Sequence, residues 1–487
     1  MILKDLLKGV KSNAGPDAAV VDARRITNDS RKVGDGDLFV AVKGHAADGN
    51  KFIDEAVAKG AKVIVAGKDS KVPDGVIKVL VDDPKTALPV MAANFYGHPS
   101  DLLKVIGVTG TNGKTTITYV LESIINNTGK GVGVIGTINY RMKDRVMPAK
   151  NTTPGPLELQ SLFADMVGMG LDYAVMEVSS HSLDQGRVDK IFFDAAIFTN
   201  ITGEHLDYHK TMSNYMAAKM KIFDHLKKGG LAVLNNDDTR VGSLQGVINK
   251  RVITYGIKND AQVRAKNVKL SIDGSEFLIT TPHISFDVNT RLVGMHNVSN
   301  ILGAVAAALA VKINVNAIKR GLERCPAVPG RLEPVDVGQS FKVFVDYAHT
   351  EDALRKILSL LGDVKKKNII TVFGCGGNRD STKRPLMGRA ACELSDHVII
   401  TSDNPRFEEP EDIIAEIELG VKGCFSNYDV VVDRREAIDK ALGMAGEGDI
   451  VVIAGKGHED YQIIKDKTVH FDDREIAREI LKSYAAV

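Results

Sequence analysis

The chain has 487 residues, too many for one ordinary hydrophobic core, so we expect two to four domains. Hydrophobic residues at 44%, charged residues at 26% and a formal net charge of +1 are typical of a soluble globular protein and argue against an extended nucleic-acid or anionic-membrane surface. No apolar run approaches the ~20 residues that span a bilayer, the start of the chain lacks a secretion-signal pattern, and the four scattered cysteines form no metal spacing, so we expect a cytoplasmic protein with reduced thiols.

The first block of the chain, to about residue 98, alternates short β-rich runs with helical patterns. Its predicted strands are at 38–42, 63–65 and 76–81. Its predicted helices are at 52–59 and 85–95. Gly97 and Pro99 then break the pattern, which predicts a small N-terminal α/β domain over residues 1–98.

A glycine-rich loop, Gly107–Thr116, opens the second block between an apolar run and a helical pattern. Glycines let the backbone wrap around a phosphate, and N–H groups at the start of the helix attract it. Lys114 can reach the β- and γ-phosphates, and the Thr115 hydroxyl suits Mg²⁺. A strict Walker pattern has glycine where Val108 stands, and a chance glycine-rich turn is the alternative; we favour a nucleoside triphosphate site. Its candidate residues are Gly110, Thr111, Asn112, Gly113, Lys114, Thr115 and Thr116.

The remainder of the chain also alternates strands with helices. Predicted strands at 132–138, 173–178, 195–198 and 231–234 precede a β-rich stretch at 251–293 and an alanine-rich helix at 298–311. This pattern predicts a mostly parallel, doubly wound sheet in a central P-loop domain over residues 99–329. After a linker at 325–330, further strands are predicted at 342–345, 368–373, 397–401, 429–432 and 449–453. They predict a C-terminal Rossmann-like domain over residues 330–487.

Acidic and histidine residues follow two of the central strands. Glu177 closes a strand, and a carboxylate beside a phosphate loop can hold Mg²⁺ directly or through water; a capping or solvated glutamate is an equal alternative. His205, Asp207 and His209 lie together after the next strand. Single histidines are usually structural, but this density of polar groups favours a functional loop.

Short polar motifs recur through all three blocks, at residues 29–31, 44–49, 109–116, 151–154, 177–181, 200–209, 330–331, 346–350, 374–380, 403–406 and 455–459. In combination, they resemble the ATP-dependent muramyl ligases of peptidoglycan synthesis. That family usually continues the motif at 346–350 with Pro-Asp. Here Glu351 and Asp352 follow, a small departure at a helix start that should not disturb nucleotide binding.

The resemblance is closest to the members that add meso-2,6-diaminopimelate to the D-Glu carboxylate of UDP-N-acetylmuramoyl-L-alanyl-D-glutamate. It implies an acyl-phosphate intermediate, ATP and Mg²⁺ as cofactors, small-molecule substrates and no nucleic-acid or membrane partner, and we expect a monomer. L-lysine or another diamino acid as substrate and a folylpolyglutamate-type synthetase are alternative interpretations. A nucleotide-dependent regulator and a P-loop kinase are less favoured, because neither gives a role to all the motifs.

The resemblance also implies roles for individual residues. The catalytic set is Lys114, Glu177, His205 and Lys219, and the implied metal ligands are Thr115, Glu177, His205 and Lys219 as a carbamate. The implied ATP contacts outside the loop are Asn297, Arg331 and Asp346. The implied UDP-muramyl-dipeptide contacts are Asn28, Ser30, His45, Ala46, Ala47, Asn151, Thr152, Thr153, Ser179, Gln185 and Arg187. The implied diaminopimelate contacts are Arg379, Asp403, Asn404, Pro405, Arg406, Gly455 and Glu459.

Two of these residues have a clear chemical rationale. Carbamylation turns the Lys219 cation into an anion that can bind Mg²⁺, and it requires a neutral amine, hence a lowered lysine pKa. Without the motif, Lys219 would pass for a solvated residue on an amphipathic helix. Diaminopimelate differs from lysine by one carboxylate, which the Arg406 guanidinium can clamp with two hydrogen bonds; an arginine that points to solvent is the alternative.

Overall fold

The computed structural model describes residues 1–14, 21–44 and 47–485. Its contacts divide the chain into two compact units. The first unit comprises Met1–Lys266, Ile279–Phe286 and Ser299–Leu322, and the second comprises Asn267–Leu278, Asp287–Val298 and Glu323–Val487. The domain boundaries predicted after residues 98 and 329 stay predictions. No helix in the described part of the chain combines the length and the apolar character that a membrane span requires.

The first unit begins with a four-stranded parallel sheet in the order β1-β2-β3-β4. Its strands are β1 Ile26–Thr27, β2 Leu38–Val40, β3 Val63–Gly67 and β4 Ile77–Val81. Its helices are α1 Leu3–Leu6, α2 Ile53–Ala58 and α3 Pro84–Tyr96. Alternate strand residues enter different cores: Val63 packs in one cluster and Ile64 in another, as the period of a strand dictates. The predicted small α/β architecture is confirmed.

The central strands follow in the same unit. They are β5 Lys104–Thr109, β6 Val132–Ile135, β7 Asn139–Met142, β8 Arg145–Pro148, β9 Tyr173–Glu177, β10 Phe193–Phe198, β11 Leu226–Asn235 and β12 Arg251–Gly256. The strands β13 Val263–Ser271, β14 Gly274–Thr280 and β15 Ser285–Thr290 are divided between the units. The order β12-β11-β10-β5-β9-β6 is parallel throughout, which confirms the predicted mostly parallel sheet. β7 and β8 extend it as antiparallel strands.

The helices between these strands cover apolar surface that the strands expose. They are α4 Lys114–Asn126, α5 Pro156–Gly168, α6 Ser180–Asp184, α7 Leu206–His209, α8 Met212–Met220, α9 Thr239–Gly242, α10 Met295–Ala310 and α11 Val315–Glu323. Phe163 of α5, Phe193 of β10 and Tyr215 of α8 are buried in one core cluster. The strand predicted over 132–138 is too long, because β6 ends at Ile135 and the chain then turns toward β7.

The second unit contains its own six-stranded sheet in the order β16-β17-β21-β18-β19-β20. The strands are β16 Glu333–Pro334, β17 Lys342–Asp346, β18 Ile369–Phe373, β19 His397–Ile400, β20 Tyr428–Val430 and β21 Ile450–Ala454, and β22 Tyr461–Ile464 and β23 Lys467–His470 form a separate hairpin. Only the short edge strand β16, among these described six, runs antiparallel.

Helices pack on both faces of this second sheet. They are α12 Glu351–Val364, α13 Lys383–Leu394, α14 Pro410–Glu418, α15 Arg434–Met444 and α16 Asp473–Ala485. Consecutive residues of β21 enter opposite cores: Val452 packs with α12 and α13, and Val451 packs with α15 and α16. α12 begins at Glu351, where the Thr350 hydroxyl accepts a hydrogen bond from the Ala353 N–H. The Rossmann-like architecture is confirmed, and the acidic pair that departs from the family pattern suits the positive start of a helix.

Candidate active site

The glycine-rich loop joins β5 to α4. Gly110 has φ 142° and Gly113 has φ 90°, a conformation that favours glycine. Neither position has room for a side chain, because a Cβ at Gly110 would overlap Thr199 Oγ1 and a Cβ at Gly113 would overlap Asn300 Oδ1. Only glycine therefore fits at these two positions, and α4 begins directly after them at Lys114, which is the strand–loop–helix arrangement typical of a phosphate site.

Two lysines converge on the carbonyl oxygen of Gly110. Lys114 Nζ donates to it at 2.9 Å and also to the Thr111 carbonyl oxygen at 2.9 Å. Lys219 Nζ, on α8, donates to the same Gly110 oxygen at 2.8 Å, and its side chain is only 2% exposed. Burial, and then the Lys114 charge, lower the pKa of Lys219 well below its usual range. The structure thus brings two of the predicted catalytic residues together.

Glu177 ends β9, the strand beside β5, so its carboxylate lies next to the phosphate loop. The side chain is fully buried at 0% exposure. Its Oε1 accepts a hydrogen bond from Thr115 Oγ1 at 3.0 Å. Two oxygen groups of the kind that Mg²⁺ prefers therefore lie together where α4 begins.

A group of aromatic side chains surrounds the predicted loop histidine. His205, with φ 57°, precedes α7, and its ring centroid lies 4.8 Å from that of His181. The His209 Nε2 lies 3.0 Å from Ser180 Oγ. Burial lowers the pKa of all three imidazoles, that of His181 to about 4, so they are neutral near neutral pH. A neutral imidazole retains a lone pair that can bind a metal ion.

Four of the predicted dipeptide-binding residues lie in one hydrogen-bonded group. Thr153 Oγ1 donates to the Glu177 carbonyl oxygen at 2.9 Å and accepts from the Ser179 N–H at 3.1 Å. Arg187 Nη1 donates to the Thr153 carbonyl oxygen at 3.2 Å, and Arg187 Nε donates to Gln185 Oε1 at 2.9 Å.

Asn151 and Thr152 extend this group toward the strand end. The Asn151 carbonyl oxygen accepts from the Tyr140 hydroxyl at 2.8 Å, which fixes the start of the segment. Thr152 Oγ1 lies 3.1 Å from Thr137 Oγ1. The segment at 151–153 is therefore connected to Glu177 in two ways. Thr153 donates to the Glu177 backbone carbonyl oxygen, and Thr152 reaches the Glu177 carboxylate through Thr137.

A cleft of about 1240 Å³ joins the N-terminal sheet to the central one. Among the residues that line it are the predicted contacts Asn28, Ser30, Ala47, Gln185 and Arg187. The Ser30 hydroxyl donates to Glu55 Oε2 at 2.9 Å. His45 and Ala46 lie outside the described residues. The residues predicted at the two ends of the nucleotide-linked substrate therefore face a single cleft within the first unit.

Three predicted ATP contacts lie in the second unit: Asn297 in α10, Arg331 just before β16 and Asp346 at the end of β17. Asp346 is buried and accepts hydrogen bonds from the Leu332 N–H at 2.7 Å and the Ala348 N–H at 2.8 Å. Its burial raises the pKa of this carboxyl to about 6. The Arg331 guanidinium lies over the Tyr347 ring, 4.8 Å from the centroid. In α10, the buried Asn297 donates from Nδ2 to a backbone carbonyl oxygen one turn earlier, at 2.9 Å.

The predicted amino-acid contacts occupy the loops after β18, β19 and β21. Asn404 Nδ2 donates to Glu459 Oε2 at 2.9 Å, and burial raises the pKa of Glu459. Gly455 has φ 114°, and a Cβ there would lie 2.7 Å from Asp403 Oδ2, so a side chain would close the site. Arg406 Nη1 donates to a backbone carbonyl oxygen of the loop at 374–380, at 2.8 Å. Pro405, between Asn404 and Arg406, is buried, and Arg379 is exposed.

Sequence reasoning did not single out three residues that hold these side chains. The Tyr215 hydroxyl forms a hydrogen bond of 3.2 Å with Thr111 Oγ1. Its ring lies under Lys219, whose Nζ is 4.7 Å from the ring centroid. Lys456 is fully buried and donates to Asn404 Oδ1 at 3.3 Å. Thr137 contacts Glu177. Lys456 lies inside a recognised motif, which was a usable signal, whereas Tyr215 and Thr137 follow no pattern of spacing.

Three family models match the chain. They are described as "Mur ligase family, catalytic domain" over residues 23–96, "Mur ligase middle domain" over 108–308, and "Mur ligase, glutamate ligase domain" over 330–457. Together they cover most of the sequence. The chain belongs to the Mur ligase family.

Individual relatives of this Mur ligase match along nearly the whole chain. A protein of Clostridium tetani named UDP-N-acetylmuramoyl-L-alanyl-D-glutamate--2,6-diaminopimelate ligase is 46% identical, with 99% of each chain covered. A protein of the same name from Geobacillus kaustophilus is also 46% identical, with 93% of this chain and 94% of the relative covered. A solved structure titled with that ligase name has 31% identity and a TM-score of 0.73, and the match covers 100% of this chain and 99% of the other.

Proposed function

We propose that this Mur ligase uses ATP to join meso-2,6-diaminopimelate to the D-Glu carboxylate of UDP-N-acetylmuramoyl-L-alanyl-D-glutamate. The observation that carries the proposal is the 46% identity, over 99% of both chains, to a relative named for a ligase of these two substrates. The contacts of the phosphate loop, the dipeptide segment and the Asp403–Arg406 loop support it, because each has the chemistry that one substrate requires.

The first step transfers the γ-phosphoryl group of ATP to the D-Glu carboxylate and releases ADP. One carboxylate oxygen forms a bond to phosphorus while the bond from phosphorus to the bridging oxygen of ADP breaks. Two anions must approach each other, so charge neutralisation and positioning are the main requirements. The loop N–H groups and Lys114, which now donates to two loop carbonyl oxygens, would turn to the phosphates when ATP binds.

Mg²⁺ would supply further neutralisation of the phosphate charge, and the residues present fit it. Thr115 Oγ1 and the Glu177 carboxylate provide oxygen ligands 3.0 Å apart. His205 and Lys219, the latter as its carbamate, are the further proposed ligands. The described residues include no ready-made group of three or more histidine, cysteine or carboxylate ligands, so water and phosphate oxygens would complete each coordination sphere.

Lys219 is proposed to be carbamylated. The neutral amine attacks the carbon of CO₂, and the nitrogen then loses a proton to water, which gives an anionic carbamate. The reaction requires the unprotonated amine, and the burial of Lys219 beside Lys114 favours that form. The product would also place a negative charge beside the Lys114 ammonium group, which donates to the same carbonyl oxygen.

The nucleotide-linked dipeptide would lie along the cleft of the first unit. We assign its uridine end to Asn28, Ser30 and the loop at 45–47, within residues 1–98. Its diphosphate and peptide are assigned to Gln185, Arg187 and the segment at 151–153, because the Arg187 guanidinium suits an anion. Ser179, which bonds to Thr153, would orient that segment.

The second step takes place when the amino acid is delivered by residues 330–487. The diaminopimelate amine attacks the acyl carbon, the tetrahedral intermediate expels inorganic phosphate, and the nitrogen loses its proton. Arg406 would clamp the carboxylate that lysine lacks, and Glu459 would accept a hydrogen bond from an ammonium group. Arg379, Asp403, Asn404, Pro405 and Gly455 complete the proposed amino-acid site. Asn297, Arg331 and Asp346 are proposed to contact the ATP bound by residues 99–329.

The proposal is tested by phosphate release from ATP with the purified chain. We expect release only when the UDP-muramoyl-dipeptide and diaminopimelate are both present, and much slower release when L-lysine replaces diaminopimelate, because Arg406 would then remain unpaired. Release with lysine at the same kcat/KM would reassign the amino-acid substrate. Release without any acceptor would contradict the proposed ligase activity.

We further propose that the enzyme acts as a monomer in the cytoplasm.

A further inference from the structure

The Glu177 carboxylate is held by a residue outside the recognised motifs, Thr137. β6 runs parallel to β9, with Ile135 beside Met176, so the residues after β6 pass directly over the end of β9. The approach is close: a Cβ at Gly136 would lie 2.6 Å from Glu177 Oε1. A glycine at this position therefore lets the next residue reach the buried carboxylate.

Thr137 donates to both oxygens of that carboxylate. Its backbone N–H donates to Glu177 Oε1 at 2.9 Å, and its Oγ1 donates to Glu177 Oε2 at 2.9 Å. Thr115 Oγ1 also donates to Oε1, at 3.0 Å. A carboxylate that receives donors on both oxygens has a fixed plane, whereas the loss of the Oε2 donor would leave a buried oxygen without compensation.

The same hydroxyl connects Glu177 to the dipeptide segment. Thr137 Oγ1 and Thr152 Oγ1 are 3.1 Å apart. A hydroxyl has one hydrogen, and that of Thr137 is already donated to Glu177, so Thr152 must be the donor in this pair. A displacement of Thr152 by bound substrate would therefore change the hydrogen bonding of Thr137 and, through it, the carboxylate.

We propose that Thr137 is a positioning residue that couples occupancy of the dipeptide segment at 151–153 to the orientation of Glu177, and hence to divalent-cation binding. The inference rests on the proposed function. It predicts that the muramoyl-dipeptide and the metal ion favour each other's binding, since both act on one chain of hydrogen bonds from Thr152 through Thr137 to Glu177.

The test measures Mn²⁺ binding to the full chain in the presence of ADP, by the loss of the free-ion EPR signal, with and without UDP-muramoyl-dipeptide. We expect the dipeptide to tighten Mn²⁺ binding by about fivefold or more in the unaltered protein. Thr137→Val should weaken Mn²⁺ binding by about tenfold and abolish the tightening. Thr137→Ser, which restores the hydroxyl, should restore both. No turnover is needed, so the result does not depend on the activity of the loaded enzyme.

Thr254→Val is the matched control, because it also removes the hydroxyl of a buried threonine on the central sheet, one that accepts from the Gln262 N–H at 3.2 Å. It should leave Mn²⁺ binding unchanged. If Thr137→Val does not fold, Thr137→Ala replaces it with the same expectation. Unchanged Mn²⁺ binding in Thr137→Val, equal losses in Thr137→Ser, or no effect of the dipeptide in the unaltered protein would overturn the inference. Dipeptide-dependent phosphate release by the unaltered protein, measured separately, shows whether the proposed function stands.

Discussion

Lys114 and Lys219 donate to one acceptor, the Gly110 carbonyl oxygen, at 2.9 and 2.8 Å. Two ammonium groups that share one oxygen repel each other, and Lys219 is the more deeply buried of the two. Burial first and the Lys114 charge second lower the pKa of Lys219. The relationship explains how a helix lysine can be a neutral amine, the form that reacts with CO₂.

Replacement of Lys219 by arginine should stop the ligase and leave nucleotide binding in place. Arginine keeps a positive charge and cannot form the proposed carbamate, so we expect kcat to fall by about a hundredfold or more. ADP binding, measured by calorimetry, should change little because Lys114 and the loop remain. Lys228→Arg, at an exposed position, is the control and should retain full activity. Full activity of Lys219→Arg would rule out a carbamate requirement.

The dependence on CO₂ should vary with pH. Because the pKa of Lys219 is lowered, the neutral amine persists to a lower pH than in an ordinary lysine, and it is lost as the pH falls through that depressed pKa. In CO₂-depleted buffer we expect slower phosphate release, restored by added bicarbonate. Between about pH 9.5 and about pH 7.5 the neutral fraction of an ordinary lysine falls about a hundredfold, so the bicarbonate requirement should rise much less than this if the pKa of Lys219 is lowered. A rise of about a hundredfold over this range would disagree with the explanation.

Arg406→Ala should impair the use of diaminopimelate far more than the binding of ATP. The variant loses the proposed bidentate contact to one carboxylate, so kcat/KM for diaminopimelate should fall by about a hundredfold. The KM for ATP should stay within a few-fold, and the preference for diaminopimelate over lysine should shrink. Arg389→Ala removes an exposed arginine of α13 and provides the control. Equal losses for both substrates would count against this assignment of Arg406.

His458 should make the protein less stable in acid. Burial, followed by the charges of Arg331 and Arg474, lowers the pKa of His458 from 6.5 to about 4. Between about pH 6.5 and about pH 4, His458 is therefore protonated in the unfolded chain but not in the folded chain. The free energy of unfolding falls as the pH drops through this range. The contribution is about 1 to 2 kcal/mol between pH 7 and pH 5. In His458→Gln, the fall in Tm over this range should be smaller than in the unaltered protein; an identical fall would refute the assignment.

The sheets were predictable because their strands are buried on both faces. Val451 and Val452 enter different cores, so a continuous apolar run marks β21, and similar runs mark the other central strands. The hairpin of β7 and β8 was not predicted, because β8 is largely exposed and lacks such a run. The predicted strand at 132–138 was too long. The apolar pattern continues past Ile135, where β6 ends, and Gly136 then passes close to the Glu177 carboxylate.

The candidate site was predictable only where its residues form motifs. Lys114 and Thr115 follow from the glycine loop, and the resemblance to the family gave Lys219 and Arg406. Spacing cannot reveal Thr137, which reaches Glu177 because two parallel strands end side by side. Spacing also cannot reveal the lowered pKa of Lys219. That pKa depends on the burial of the side chain and on the charge of Lys114, which is distant in the sequence.

The most direct test of the account follows the oxygen atoms of the acceptor. The D-Glu carboxylate of the UDP-muramoyl-dipeptide is labelled with ¹⁸O, and the phosphate released with ATP and diaminopimelate is analysed by mass spectrometry. An acyl phosphate transfers one carboxylate oxygen to phosphorus, so we expect one ¹⁸O atom in each phosphate released and ADP as the other product. Unlabelled phosphate, or AMP with pyrophosphate, would contradict it.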